Sequence, residues 1–204
     1  MRQACPTRQR FAVPVPFQNI DRPDCAIAQE PRLLNQDLSQ AAATWITRGP
    51  DLFLSRGTIE ILETELRQIM PADTQPLLDD TLALARRYRC LSDTAEIRFR
   101  LEKISHDSCR CFHIDNVPLR LLCTYTGPGV QWKHAENDTI HETPAGWLTL
   151  LKGRLHPGWS ADTAILHRSP PLSGLGTPLT RLLLTLDHPD ACGMSPRQPA
   201  ATGR

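Results

Sequence analysis

The apolar residues of this chain repeat with one period up to about residue 91 and with another from about residue 95. Between residues 33 and 91 the spacing is helical. Leu34, Leu38, Ala42, Trp45 and Ile46 make one stripe. Ile59, Leu62, Leu66 and Ile69 make a second, with Ser55 or Thr58 available as a cap and Pro71 as a stop. Leu78, Leu82, Ala85 and Tyr88 make a third. Over residues 96–104 the period changes to two: Ile97, Phe99 and Leu101 alternate with Arg98, Arg100 and Glu102, as in a half-buried strand. An extended run over 109–125, broken at Asn116-Val117-Pro118, comes next. Short apolar runs at 147–151, 163–167 and 181–186 follow, separated by Gly/Pro/Ser loops. Helices ahead of many short strands predict an α+β fold, with N-terminal amphipathic helices packed on a jelly-roll or cupin-like barrel. The helical part (33–91) is expected to buttress the strands (95–187) and to carry no catalytic group.

Length and charge narrow the function. A chain of 204 residues can bury one substantial core, expected over 21–190, with a flexible arm (1–20) before it and a flexible tail (191–204) after it. Lys+Arg number 23 against 22 Asp+Glu, so a net charge of +1 gives no electrostatic basis for binding nucleic acid or an anionic membrane. No apolar run approaches the roughly 20 residues that span a bilayer. The first residues, with Arg2, Arg8 and Arg10 among Pro6, Pro14 and Pro16, lack the apolar core of a secretory signal. The expectation is a cytoplasmic protein that binds neither nucleic acid nor membrane. Seven cysteines, odd in number and irregular in spacing, point to reduced thiols.

The chemistry gathers in the strand half. In Phe112-His113-Ile114-Asp115 a His and an Asp stand two residues apart, and on a strand such residues point to one side and can reach one ion. His167 follows 54 residues later, at the end of another apolar run. Two His and one carboxylate cover one face of an octahedral ferrous ion and leave the opposite positions free for oxygen and a co-substrate. Arg181 opens the last apolar run, fourteen residues beyond His167.

This order, His-x-Asp, distal His, then a basic residue, resembles the iron(II)- and 2-oxoglutarate-dependent oxygenases. The resemblance implies a double-stranded β-helix, iron bound by His113, Asp115 and His167, and 2-oxoglutarate as cofactor. Its far carboxylate would meet Arg181, since a planar guanidinium grips a carboxylate bidentately. Arg120 is a rival for that carboxylate, on the opposite face from Asp115 if the strand is regular, although Pro118 breaks the count. A closer resemblance is to a bacterial family of unknown function, number 1826. It rests on Phe112-His113-Ile114-Asp115-Asn116-Val117-Pro118 through Thr126-Gly127-Pro128-Gly129, Leu150-Leu151-Lys152-Gly153, His167-Arg168-Ser169-Pro170-Pro171 and Arg181-Leu182-Leu183-Leu184-Thr185-Leu186-Asp187. Where that family has Thr-Glu-Trp after the Gly-Pro-Gly turn, this chain has Val130-Gln131-Trp132.

A second reading stays open. On an unbroken strand Cys109 and Cys111 would share the face of His113 and Asp115, and a thiolate there favours zinc. With Cys111 as fourth ligand the protein would be a non-catalytic, cupin-like zinc binder. A third reading is an interaction module that keeps the remnants of a site. His134, Glu136, His141 and Glu142 are expected in a solvated loop. The sequence names no substrate; a small molecule and a protein side chain both fit.

Overall fold

The computed structural model describes residues 16–107, 109–176 and 178–191. A 3-10 turn, Phe17–Asn19, leads to strand β1 (Ile27–Glu30), helix α1 (Gln36–Arg48), strand β2 (Leu52–Gly57) and helices α2 (Ile59–Ile69) and α3 (Gln75–Ser92). Seven strands follow: β3 (Ile97–Ile104), β4 (Leu119–Thr126), β5 (Gln131–His134), β6 (His141–Glu142), β7 (Leu148–Lys152), β8 (Ile165–Arg168) and β9 (Arg181–Asp187). They form two antiparallel sheets, one ordered β1-β7-β4-β9-β3-β2 and one ordered β6-β5-β8.

The helices form where the stripes fall. Asn35 caps α1 by accepting a hydrogen bond from the Leu38 amide at 2.8 Å, and Asp37 and Arg48 sit at the ends that suit the helix dipole. Leu38, Ala41, Ala42 and Trp45 of α1, Leu62 and Leu66 of α2, and Leu78, Leu82, Ala85 and Tyr88 of α3 are buried together. Ile69 is 40% exposed, so the second stripe ends a turn early. The Tyr88 hydroxyl donates to the Leu119 carbonyl at 2.8 Å and ties α3 to β4.

The large sheet has two different faces. Ile97, Phe99 and Leu101 of β3, Leu121 and Cys123 of β4, and Leu182, Leu184 and Leu186 of β9 pack into the helix-side core. The alternate residues, Arg98, Arg100 and Glu102, then Arg120 and Leu122, then Arg181, Leu183 and Thr185, line a cavity of about 280 Å³ that the small sheet also walls. A second, smaller core of Ala26, Ile27, Leu122, Val130, Trp132, Leu151 and Ile165 joins the sheets beside it. The polar residues of β3, which alternation alone would send to solvent, therefore face the interior.

Four expectations need correction. The helical part contains β2, a full partner of β3, hidden in the sequence by Ser55, Arg56 and Gly57. Phe17 and Ile20, assigned to a flexible arm, are buried in the main core. The loop assigned to 129–144 contains β5 and β6, with His141 stacked on Trp132 at 4.4 Å. The run over 109–125 is a strand only from Leu119; before it Cys109 takes a left-handed φ of 46° that breaks the alternation. Residues 1–15 of the expected arm, the tail beyond Ala191, and Cys5 and Cys192 lie outside the described residues. The five described cysteines are free thiols. Among the described residues no helix is long and apolar enough to cross a membrane.

Candidate metal centre

Backbone pairing closes the gap between the two histidines. His113 forms an isolated antiparallel bridge with His167 on the free edge of β8, the His113 amide donating to the His167 carbonyl at 3.1 Å and the reverse bond spanning 2.9 Å. Directly paired residues project to one face. Their imidazole centroids accordingly stand 4.5 Å apart. The chain then turns through Asp115 to β4. Arg154 donates its amide to the Asp115 carbonyl at 2.9 Å, and Gly153 donates to Pro118 at 2.9 Å, so the turn docks on the end of β7. A Cβ at Gly153 would collide with the Val117 carbonyl and come within 2.9 Å of the Asp115 carbonyl. That contact is the physical reason for Gly in Leu-Leu-Lys-Gly.

Asp115 lies between the rings. Its Oδ1 is 3.5 Å from His113 Nε2 and its Oδ2 is 3.1 Å from His167 Nε2. The three donors fall within 4.8 Å of one another. Adjacent ligands of an octahedral ion at about 2.0–2.2 Å stand about 3 Å apart, the scale of the two closer separations. His113 Nδ1 lies 3.0 Å from the Cys111 carbonyl, which can accept its proton and leave Nε2 as the ligating atom. Asp115 Oδ2 is buried with no hydrogen-bond partner, the His167 Nε2 at 3.1 Å being the ring nitrogen nearest to it. A buried, unbonded oxygen on a carboxylate that faces two ring nitrogens fits a cation, and two imidazoles with one carboxylate suit ferrous iron.

The electrostatics agree. Burial works to raise the Asp115 pKa, yet the adjacent imidazoles of His113 and His167 and the Arg120 guanidinium bring it well below the usual carboxylate range. Asp115 in turn raises His113 against the effect of burial. Burial lowers His167, which is 6% exposed.

Both candidate arginines reach the site, in different states. Arg120 Nη1 binds Asp115 Oδ1 at 2.6 Å, while its Nε and Nη2 grip Asp187 at 2.6 and 2.8 Å. The turn after Asp115 cancels the opposite-face count and brings Arg120 back to the carboxylate. Arg181 is 1% exposed and bonds only neutral acceptors: the Pro128 carbonyl at 2.7 Å, Ser169 Oγ at 3.2 Å and Thr124 Oγ1 at 3.5 Å. No carboxylate among the described residues forms an ion pair with it, and burial lowers its pKa to about 10. Asp187, on the same strand as Arg181, is fully buried between Arg120 and Arg98.

Cys111 does not join the centre. It is exposed, only its carbonyl touches His113, and the three-residue metal cluster excludes its thiol. The fourth ligand of a closed zinc site is therefore missing among the described residues. Gln131, where the family has Glu, links Arg168 at 2.9 Å to Glu142 at 3.1 Å. The site residues missed in the sequence are Asp187, which anchors Arg120, and Arg98, which binds Asp187. The signal was position: Asp187 shares the two-residue period of Arg181 and Thr185 on β9, as Arg98 shares that of Arg100 and Glu102 on β3.

The family described as Protein of unknown function (DUF1826) matches residues 13–187. No curated protein matches the chain. Among solved structures, the rice dioxygenase for auxin oxidation is 12% identical, with a TM-score of 0.54 over 79% of this chain and 72% of that one. The dioxygenase for auxin oxidation 1 of Arabidopsis thaliana, in a binary complex with 2-oxoglutarate, is 14% identical, with a TM-score of 0.52 over 83% and 86%. JOX2, in complex with 2OG, Fe and JA, is 11% identical, with a TM-score of 0.55 over 90% and 77%. At these identities the likeness is one of fold.

Proposed function

The chain belongs to the DUF1826 family, and from that premise we propose that it is an iron(II)- and 2-oxoglutarate-dependent oxygenase. Its two sheets are read as the walls of a double-stranded β-helix. The observation that carries the proposal is Arg181. A buried guanidinium with only neutral partners is costly unless an anion meets it. It shares one cavity with His113 and His167. A co-substrate with a metal-chelating end and a distal carboxylate answers both needs, as 2-oxoglutarate does.

In this reading His113, Asp115 and His167 hold the metal on one face. Arg181 receives the distal carboxylate, with Ser169 and the Pro128 carbonyl fixing the plane of its guanidinium. Arg120 is occupied by Asp115 and Asp187, so it positions the metal-binding carboxylate and leaves the co-substrate to Arg181. Ferrous iron with 2-oxoglutarate supplies the oxidising power to place an oxygen atom from O2 on an unactivated substrate carbon. The substrate is a small molecule or a protein side chain.

The test is anaerobic loading with Fe(II), followed by 2-oxoglutarate and air. Stoichiometric Fe(II) uptake and oxygen-dependent conversion of 2-oxoglutarate to succinate are expected. Protein that takes up zinc alone and ignores 2-oxoglutarate overturns the proposal.

A further inference from the structure

The cavity wall opposite the histidines is built from arginines that the proposed cofactors do not use. Arg98 and Arg100 lie two residues apart on the cavity face of β3, with Thr185 of β9 paired to Arg100. A guanidinium carries five N–H donors. Arg98, whose side chain is 6% exposed, makes one hydrogen bond, from Nη1 to Asp187 at 3.0 Å. Arg100 also makes one, from Nη2 to Glu102 at 2.6 Å. The Nε–H of each is buried without a partner. Arg98 Nη2 and Arg100 Nη1 have no partner among the described residues either, and neither is among the atoms sealed from solvent.

Charge points the same way. Among the described residues five arginines line the cavity and Glu102 is the one acid in its wall, and Asp115, Asp187 and Glu142 around it bring the carboxylates to four. A divalent metal and a dianionic co-substrate would cancel one another and leave that excess of positive charge in place. Each of the two guanidiniums spends one N–H on its own carboxylate, and the donors left over on one strand face favour an anion that bridges them.

We propose that Arg98 and Arg100, with the Thr185 hydroxyl, form a second anion subsite in the cavity, which receives a carboxylate or phosphate group of the primary substrate. The site itself stands on the arginines alone; its assignment to a substrate rests on the oxygenase reading. The substrate is then an anionic molecule, oriented with its charged group on β3 and its reacting carbon toward the His113–His167 pair.

Calorimetric titration of the full chain tests this, with inorganic phosphate and acetate as probes and no metal added. Saturable binding of at least one probe is expected; tighter phosphate assigns a phosphate ester and tighter acetate a carboxylate. Arg100→Gln, at a half-exposed side chain, should weaken binding by about tenfold to a hundredfold. Arg98→Lys keeps a charge beside Asp187 and should weaken it similarly, with circular dichroism verifying the fold. Repeated with Mn(II) and saturating 2-oxoglutarate, the titration should return an unchanged affinity. Binding that survives both substitutions but is lost in Arg181→Gln, competition with 2-oxoglutarate, or no binding of either probe each overturns the proposal. Because the first titration needs neither metal nor co-substrate, failure of the oxygenase reading leaves it interpretable.

Discussion

Arg120 Nη1 meets Asp115 Oδ1 at 2.6 Å, so one oxygen of the central carboxylate is shared between a guanidinium and the His113 ring while the other is left facing His167. The same guanidinium is fixed from behind by Asp187, which also binds Arg98 at 3.0 Å. Asp187→Asn should therefore act at a distance. Removing one partner of a buried ion pair costs about 3–5 kcal/mol. Urea denaturation should show that loss, and divalent-metal affinity should fall with it because Arg120 is released.

His167→Ala should abolish binding of one Fe(II) or Mn(II) per chain, measured by anaerobic titration. Cys111→Ser should leave metal stoichiometry unchanged, since its thiol lies outside the cluster. Loss of metal in Cys111→Ser would restore the zinc reading.

Arg181→Ala should weaken 2-oxoglutarate by roughly thirty-fold to several thousand-fold, from about 2–5 kcal/mol for truncating a desolvated charge pair. Metal content should hold. If Arg120→Ala instead abolishes 2-oxoglutarate binding while Arg181→Ala spares it, the roles of the two arginines are reversed.

Acid should destabilise the metal-free protein through Asp115 and His167. The folded Asp115 pKa lies below the unfolded value of about 3.9, so the unfolded state binds more protons in that window. Its stabilising contribution is full above the unfolded value and is lost as pH falls toward the folded one. His167, lowered from about 6.5 by burial, has the same sign between its folded value and 6.5. His113, raised by Asp115, has the opposite sign: its contribution is full below about 6.5 and is lost as pH rises through its folded value. Thermal denaturation against pH should show Asp115→Asn with a flattened acid limb below about pH 4.

Gly153→Ala should move the turn that carries Asp115. The added methyl meets the Val117 carbonyl, and overpacking of this kind costs about 1–3 kcal/mol. Weakened metal binding with the helices intact by circular dichroism is the expected result.

The sequence by itself determined the three helices, the strands β3, β7, β8 and β9, and the identity of the residues that meet at the centre, because periodicity and side-chain chemistry are local properties. Leu62 and Leu66 on one stripe and Ile97, Phe99 and Leu101 on another are buried as their spacing requires. What only the tertiary structure decided is who faces whom. β2 is a strand because β3 offers it an edge, whatever Ser55 and Gly57 prefer. Arg98 and Arg100 look solvent-facing by alternation, and they turn inward because a second sheet covers that face. Arg120 reaches Asp115 because the chain turns at Asn116-Val117-Pro118, and that turn is fixed by contact with Gly153, just past β7, a partner remote in the chain. Asp187 chose Arg120 and Arg98 over Arg181 for the same reason: ion pairs are set by distance in space, which no linear spacing contains.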